Sequence, residues 1–346
     1  MLKRKSAASI VFLLLVAVSF FYTLPFYVSK PGSAHELKPI VKVEGGEQDE
    51  GEFMLTTVRM GPANIYTYLL AQVREYEEVL PIEDVRSPHE TDEEYNERQA
   101  YLMENSKQNA VTVAFDHAKK PYHFNYRGVY VLNVFPDMPA EGVLKPGDRI
   151  TAVDNRKLES SEQFTSYIQK KQPGSEVNIT FMREDKQLEK RLTLKRFQEG
   201  ENKVGIGISL VDDRELVSKP KVILKTEEIG GPSAGLMFSL EIYNQLVEED
   251  ITGGRSVAGT GTISPDGSVG RIGGIEQKIV AADRDGAEIF FAPSEEIPDE
   301  LKEKYPDMES NYEDAVKTAE DIESDMKIVP VKTFDDALSY LEKLNN

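Results

Sequence analysis

The longest apolar run lies near the beginning of the sequence. Residues 7–28 read AASIVFLLLVAVSFFYTLPFYV and carry no charged side chain. As an α-helix, this run would span about 33 Å at 1.5 Å per residue, enough to cross a bilayer core. A cleaved signal peptide is the alternative, but its apolar region usually has only about 7–15 residues before a small-residue cleavage site. The pattern favours an uncleaved transmembrane helix over residues 1–29.

Charge around this run predicts its orientation. Lys3, Arg4 and Lys5 precede it, and basic residues beside a membrane segment tend to stay on the cytoplasmic side. We therefore predict a single-pass membrane protein with a cytoplasmic amino terminus and an extracytoplasmic remainder. Residues 30–52 are rich in Gly, Pro and charged side chains, a composition typical of a linker.

The next segment, residues 53–115, mixes three patterns. Residues 53–58 (FMLTTV) and 111–115 (VTVAF) are β-branched and apolar, which predicts two short strands. Between them, residues 63–80 have apolar positions at helical spacing, and residues 83–108 are highly charged.

Residues 116–200 predict a small β-rich domain. An apolar strand at 128–135 (GVYVLNVF) is followed by a tight turn at 145–148 (KPGD) and a second strand at 150–153. Ser160 or Ser161 is placed to cap a helix that ends before Pro173. Residues 177–182 and 188–194 then predict a hairpin.

This domain resembles the PDZ domains of bacterial proteases, and LKPGDRITAVDN at residues 144–155 is the most specific part of the resemblance. The resemblance implies that a peptide carboxyl terminus binds near residues 126–131 and adds as a strand at the sheet edge. YRGVYV departs there from the family's Gly-Leu-Gly-Phe form. The alternative is a domain that only supports its neighbour. The implied peptide-binding residues are Tyr126, Arg127, Gly128, Val129, Tyr130 and Val131.

Ser233 is the first candidate for chemistry. It lies in GGPSAG at residues 230–235, before apolar positions at helical spacing. A serine at a helix start is most often an N-cap. The functional alternative places Ser233 Oγ on a sharp turn made by Gly231, Pro232 and Ala234, where adjacent N–H groups and the helix terminus would stabilise an oxyanion.

The composition restricts the base that could activate this serine. GPSAG matches the G-x-S-x-G nucleophile elbow, whose family requires a later histidine. The sequence has no Cys and four His, and His123 is the last of them. That catalytic order is therefore impossible here. A triad with an upstream histidine stays formally open, but the four His lie in the linker, the charged connection and the edge of the PDZ-like region, so we predict a base other than histidine.

Lys278 is the candidate base. In a helix that starts after Gly273 and Gly274, Lys278 shares one stripe with Ile275, Ile279 and Ala282. A lysine on a buried stripe commonly extends its ammonium group to the surface. The alternative is a desolvated amine with a lowered pKa that acts as a base at neutral pH.

The combination of GPSAG, Gly259-Thr260-Gly261 and GGIEQK resembles the proteolytic domain of Lon proteases, over about residues 204–346. The resemblance implies that Ser233 is the nucleophile, Lys278 the general base and Thr260 a dyad-supporting residue that orients the lysine. An acidic residue usually lies three positions before the serine, but Gly230 occupies that position here, after Glu227 and Glu228.

The first strands of a Lon domain are missing after the PDZ-like region. We hypothesise that residues 53–58 and 111–115 supply them, so that the PDZ-like domain is inserted into the protease domain. The predicted organisation is an anchor (1–29), a linker (30–52), an N-terminal segment (53–115), a PDZ-like domain (116–200) and a Lon-like domain (201–346), in the α+β class.

The whole resembles the membrane-anchored PDZ and Lon-like proteases of Gram-positive bacteria, which implies an extracytoplasmic serine endopeptidase at the bacterial cell membrane. Peptides or unstructured proteins are the expected substrates, and a homo-oligomer stays open. The formal charge of −19 disfavours nucleic acid. The sequence contains no Walker A motif and no H-E-x-x-H, so we expect no ATP, metal or cofactor. A catalytically silent PDZ membrane scaffold is the alternative.

Overall fold

The computed structural model describes residues 19–46, 50–86, 90–197, 203–226, 229–297, 302–303 and 308–345. The chain divides into two compact units. The first comprises Met1–His89, Asn109–Ala118 and Val222–Asn346, and the second comprises Glu90–Gln108 and Lys119–Lys221. Each unit is therefore assembled from segments that are separated in the sequence.

The elements follow one another in a mixed α and β order. The strands are β1 (Thr23–Glu36), β2 (Val41–Val43), β3 (Glu52–Asn64), β4 (Glu78–Pro81), β5 (Tyr122–Val134), β6 (Arg149–Val153), β7 (Arg156–Lys157), β8 (Glu176–Arg183), β9 (Lys186–Thr193), β10 (Lys195–Arg196), β11 (Val204–Gly205), β12 (Ile208–Ser218), β13 (Val222–Leu224), β14 (Ser256–Gly259), β15 (Thr262–Ile263), β16 (Val269–Gly270), β17 (Ile289–Pro293) and β18 (Lys327–Val331). The helices are α1 (Ile65–Ala71), α2 (Ile82–Val85), α3 (Asp92–His117), α4 (Ser161–Gln169), α5 (Gly235–Leu246), α6 (Ile275–Arg284), α7 (Asn311–Asp321) and α8 (Phe334–Asn345).

A six-stranded mixed sheet organises the first unit, in the order β18-β17-β14-β3-β1-β4. Strands β18, β17, β14 and β3 run parallel, whereas β1 is antiparallel to both β3 and β4. The pairing of β3 with β14 places Leu55 opposite Gly259. Residues 53–58 thus contribute a central strand, flanked by β14 and β1, to the unit that contains Ser233 and Lys278.

The beginning of the chain differs from the prediction. Residues 1–18 of the predicted anchor lie outside the described residues, and no helix in the described part of the chain is long and apolar enough to cross a membrane. Residues 23–28 lie in β1, so the helix prediction is wrong there. The linker prediction for residues 30–52 is also wrong for β1 and β2, because β1 forms a long hairpin with β3.

The second predicted strand of the N-terminal segment is wrong as well. Residues 111–115 lie in α3, which runs from Asp92 to His117. Its last residues belong to the first unit and its earlier ones to the second unit. Val111, Val113, Ala114 and Phe115 are all buried, so they form a buried helical segment rather than a strand.

The second unit is built around an antiparallel sheet in the order β12-β5-β6-β8-β9, and β7 pairs with β6. Its core contains Val131, Ile150, Phe164, Ile179 and Phe181, all buried. Helix α4 starts after Ser160, whose hydroxyl accepts the Gln163 N–H, as the capping prediction required. Strand β12 also belongs to this unit, so the return to the first unit comes at Val222 rather than at residue 201.

Candidate active site

Ser233 lies on a tight turn that leads into α5. Gly231 has a φ of +83°, a left-handed conformation that glycine adopts without strain. Helix α5 begins at Gly235, and its N-cap is Ala234, which makes no side-chain capping bond. The N-cap interpretation of Ser233 is therefore wrong, because the serine hydroxyl does not cap the start of α5.

The loop after β14 holds the backbone of this turn. Gly261 N–H donates to the Ser233 carbonyl at 2.8 Å, and the Thr260 hydroxyl donates to the same oxygen at 2.9 Å. In return, Leu236 N–H donates to the Gly261 carbonyl at 3.1 Å. These reciprocal bonds fix the position of Ser233 relative to Thr260.

Lys278 approaches the serine from α6. Ile275, Lys278, Ile279 and Ala282 are all buried, which confirms the predicted stripe. Lys278 is only 2% exposed, so its ammonium group does not extend to solvent. Its Nζ donates to Ser233 Oγ at 2.8 Å and to Thr260 Oγ1 at 2.8 Å. The structure thus brings together Ser233, Lys278 and Thr260 in one hydrogen-bonded cluster.

Burial changes the protonation of this lysine. Desolvation lowers the pKa of Lys278 from 10.5 to about 7, because the charged form loses its hydration inside the protein. Glu227 and Glu228, the acidic residues upstream of the serine, lie outside the described residues. A neutral amine is therefore available near pH 7, as a general base requires.

The hydroxyl of Thr260 orients the lysine amine. Its proton is directed to the Ser233 carbonyl, so its oxygen accepts an N–H from Lys278. With that N–H engaged, the lone pair of the neutral amine can face Ser233 Oγ. Thr260 is fully buried, so solvent water does not compete for these bonds.

Two further contacts position the loop after β14. Thr56 in β3 is buried, and its hydroxyl donates to the Gly259 carbonyl at 3.2 Å. A Cβ on Gly259 would lie 2.6 Å from Met237 Sδ, so α5 packs directly against the end of β14. The glycine-rich sequence signalled such a close approach, but no local signal linked Thr56 to this loop.

The predicted oxyanion residues have different roles in the turn. Pro232 has no N–H and cannot donate a hydrogen bond, so it contributes to the turn and not to an oxyanion site. Its carbonyl accepts the Gly235 N–H at 3.3 Å and closes the turn. Gly231 supplies the left-handed backbone, and Ala234 is the N-cap of α5. The Gly235 N–H is thus engaged within the turn, and the N–H groups of Ser233 and Ala234 are the candidate oxyanion donors beside the Ser233 hydroxyl.

The predicted peptide-binding residues lie in the interior of the PDZ-like sheet. Tyr126, Arg127, Gly128, Val129, Tyr130 and Val131 all belong to β5. Strand β12 pairs with β5 from Ile208↔Val134 to Ser218↔Tyr122, and β6 pairs with Val129 and Tyr130 on the other side. The prediction that a peptide adds as a strand at Val129 and Tyr130 is wrong, because both edges are occupied there.

The sheet edge lies instead at β12. Residues 205–208, directly before most of β12, read Gly-Ile-Gly-Ile, and Gly207 has a φ of +84°. This short motif is closer to the Gly-Leu-Gly-Phe form than YRGVYV is. Asp212 of β12 accepts the Ser161 N–H at 2.6 Å and so connects the edge strand to the start of α4.

Two family models match this chain. A PDZ domain model matches residues 96–194, and a model of the Lon protease (S16) C-terminal proteolytic domain matches residues 228–342. The chain therefore contains a PDZ domain and a Lon-type serine protease domain. The second match covers Ser233, Thr260 and Lys278.

Curated Lon proteases share the second segment. The Lon protease of Malacoplasma penetrans is 34% identical over 113 residues, 33% of this chain and 12% of that protein. The Lon protease of Clostridioides difficile is 36% identical over 80 residues, 21% of this chain and 10% of that protein. This chain spans only about a tenth of the length of these relatives.

Solved structures match about a quarter of this chain. The crystal structure of the PDZ domain of the SdrC-like protein from Listeria monocytogenes is 39% identical and covers 25% of this chain and 90% of that chain, with a TM-score of 0.24. A solution structure from Geobacillus thermodenitrificans is 47% identical and covers 24% and 95%, with a TM-score of 0.22.

Proposed function

We propose that this chain is a serine endopeptidase in which Ser233 and Lys278 form a catalytic dyad. One observation carries the proposal: Lys278 Nζ lies 2.8 Å from Ser233 Oγ while its own burial lowers its pKa to about 7. A nucleophile within hydrogen-bond distance of a neutral base is the arrangement that covalent catalysis requires.

The chemistry follows from these contacts. Ser233 Oγ attacks a substrate carbonyl carbon while its proton passes to Lys278 Nζ. The resulting ammonium group then gives that proton to the leaving amine, the C–N bond breaks, and an acyl ester remains on Ser233. Lys278 next takes a proton from water, and the resulting hydroxide attacks the ester. The departing Ser233 oxygen recovers the proton from Lys278, so the enzyme returns to its starting form.

The negative charge that develops on the carbonyl oxygen needs hydrogen-bond donors. The N–H groups of Ser233 and Ala234, directly before α5, are suited to this, because they lie beside the positive end of the helix dipole. The N-cap residue Ala234 has no side-chain capping hydrogen bond, so no capping side chain covers the start of α5. We assign the oxyanion site to the backbone of this turn.

The substrate class and location form a further part of the proposal. These 346 residues contain no Walker A motif, and we propose that the dyad acts on peptides or unstructured segments without ATP. The uncharged residues 7–22, which follow Lys3, Arg4 and Lys5 and precede β1, support a single-pass anchor in a bacterial cell membrane with the protease outside the cytoplasm.

The PDZ domain would present substrate tails to the protease. We place the peptide along the free edge of β12, with its carboxyl terminus at residues 205–208, because β12 is one of the two edge strands of the sheet and follows the Gly-Ile-Gly-Ile segment. Backbone hydrogen bonds to an edge strand give affinity, and neighbouring side chains give specificity. The proposed peptide-binding site is thus at β12 and not at residues 126–131.

Dyad variants of the full chain test the catalytic proposal. We expect Ser233→Ala and Lys278→Ala each to reduce cleavage of an unstructured protein at least about 10³-fold. Ser166→Ala and Lys327→Ala, two changes at exposed positions, serve as matched controls with unchanged rates. Cleavage that survives both dyad changes contradicts the assignment. A wild-type protein that cleaves no substrate while its PDZ domain binds peptides favours the scaffold alternative.

A further inference from the structure

An exposed apolar patch lies on the first unit, on the side of the sheet formed by β1 and β4. It consists of Phe20, Phe21, Tyr22, Leu69, Leu70 and Val73. Phe21 is 86% exposed, Val73 is 79% exposed and Leu69 is 58% exposed. Large side chains exposed together on a folded domain usually mark a surface that contacts another apolar phase.

Specific contacts connect residues 19–20, at the first part of the patch, with α1 and its N-cap, which carry the second part. Phe20 stacks on Tyr66 of α1 with ring centroids 4.0 Å apart. Asn64 donates a side-chain hydrogen bond to the Phe20 carbonyl at 3.2 Å, and Ser19 Oγ lies 2.8 Å from the Tyr66 hydroxyl. Ser19 and Phe20 therefore lie against α1.

Helix α1 is seated firmly enough to present the patch. Its N-cap, Asn64, forms a capping box with Thr67. Its inner side contributes Ala71 and Tyr68 to a cluster with Val28 and Ala63. Leu69, Leu70 and Val73 remain outside this cluster, so their exposure is a property of a packed element.

The charge pattern around α1 matches this exposure. Residues 60–73 contain no charged side chain, although 29% of the chain is charged and about four would be expected in such a stretch. Arg59 and Arg74 border the stretch, and both are exposed. Arginine at the border of an apolar surface can direct its stem to lipid and its guanidinium to water.

We propose that the apolar patch rests on the surface of a lipid bilayer and orients the protease domain against the membrane. The occupant is argued from continuity: residues 7–18, directly before the patch, are apolar and uncharged. A bilayer that accepts this run brings Phe20, Phe21 and Tyr22 to the interface, where aromatic side chains are favoured. The strongly acidic chain makes Coulomb attraction to anionic lipid a poor alternative cause.

This inference rests on the proposed membrane location but not on the proposed catalysis. The full chain would be reconstituted into vesicles of neutral phosphatidylcholine, and flotation with the vesicles would first test membrane attachment itself. The absence of native Cys allows one environment-sensitive label at a chosen position. Labels would be placed at Leu69→Cys and Val73→Cys, two exposed positions.

Lys343→Cys is the matched control. It is exposed on α8, which packs near β18, the edge of the sheet opposite to β4. We expect the labels at positions 69 and 73 to be quenched by lipid-borne quenchers and protected from aqueous iodide. The label at position 343 should show the reverse.

Two outcomes overturn the proposal in floated protein. Labels at 69 and 73 that behave like the one at 343 place the patch in water. Protection from iodide without lipid quenching, lost when the protein is diluted in lipid, assigns the patch to a second copy of the chain. Introducing Leu69→Glu and Val73→Glu should abolish the lipid quenching of a label at Leu70→Cys while circular dichroism is unchanged.

Discussion

Lys278 is the residue whose environment decides the chemistry at this site. It lies on the buried side of α6, and its Nζ donates to the hydroxyl groups of Ser233 and Thr260. Among the residues that the structure describes, no carboxylate contributes to the shift of its pKa, which comes from desolvation. The protein thus produces a base by excluding water rather than by pairing charges.

The pH profile of cleavage should report this pKa. Protonated Lys278 cannot accept the Ser233 proton, so kcat/KM should rise about tenfold per pH unit below 7 and level off above about pH 7. Cleavage rates of a peptide without titratable groups between pH 5 and 9 would measure it. A flat profile across that range would contradict a lysine base with this pKa.

Burial of Lys278 should also reduce stability. A folded pKa near 7 against 10.5 in the unfolded chain means that the unfolded state binds more protons between these values, so stability rises with pH there. The penalty is fully present below pH 7, at about 4–5 kcal/mol from the size of the shift. It disappears above about pH 10.5.

Lys278→Met should therefore stabilise the inactive protein near pH 7. We expect a net gain of about 2–3 kcal/mol, after the loss of two hydrogen bonds at about 1 kcal/mol each. The gain should shrink as pH rises towards 10. Urea unfolding of both proteins at pH 7 and 9.5 would measure it, and equal gains at both values would refute the electrostatic origin.

At the scale of elements, the site depends on how closely β14 approaches α5. The Cβ of an alanine at Gly259 would meet Met237 Sδ at 2.6 Å and Phe291 Cβ at 3.0 Å. Thr260 follows immediately, so any displacement of β14 moves the hydroxyl that orients Lys278.

Gly259→Ala should consequently impair both folding and activity. Overpacking of this kind destabilises by about 1–3 kcal/mol, and the displaced Thr260 should lower kcat as well. Gly61→Ala is the matched control, because its Cβ would meet nothing within 4 Å. Thermal unfolding and peptide cleavage would compare the two variants. Equal effects at both positions would argue against a packing constraint at β14.

Some elements were predictable because their signals are local. The stripe of Ile275, Lys278, Ile279 and Ala282 repeats at helical spacing, and the structure buries all four. The start of α4 was equally readable, because Ser160 caps it through Gln163. The Ser233 turn was recognisable from its Gly and Pro residues, although the helix begins two residues later than predicted.

Other elements depend on partners far away in the sequence. Residues 111–115 are β-branched and buried, and a short buried run does not distinguish a strand from a helix. Strand β1 contains Pro25, Pro31 and Gly32, which disfavour a strand locally. Its pairing with both β3 and β4 outweighs that preference. The edge position of β12 likewise follows from sheet order, which no local pattern reveals.

At the scale of the whole molecule, the protease unit is made of three chain segments. Strand β3, far upstream of the family-matched segment, pairs with β14 and buries Phe53, Met54 and Leu55. The second unit lies in the sequence between these parts. The Lon-type segment is therefore incomplete without residues that precede the PDZ domain.

Residues 222–346 alone should not fold into an active protease. Without β3, the edge of β14 would lose its ladder partner, and the buried surface against those three side chains would face water. Expression of this fragment should give protein without a cooperative unfolding transition, measured by circular dichroism beside the full chain. A stable, cooperative fragment would show that β3 is dispensable.

Strand β3 also sets a distance. Leu55 lies opposite Gly259, next to Thr260, and Asn64 at the far end of the strand bonds Phe20 in the apolar patch. Nine residues at about 3.4 Å each separate Leu55 from Asn64, so the distance along β3 between the dyad and the apolar patch is at most about 30 Å. If the patch rests on lipid, scissile bonds must reach about that height above the bilayer.

Membrane-tethered substrates should consequently be cleaved only when their linker is long enough. With linkers from about 4 to 20 residues, we expect cleavage to begin near nine, the number of extended residues that covers about 30 Å. The same sequences free in solution should be cleaved regardless of linker length. Cleavage of tethered substrates at every linker length would contradict this minimum length. If cleavage depends on linker length, selection among membrane proteins rests on the length of the substrate's tail as much as on its sequence.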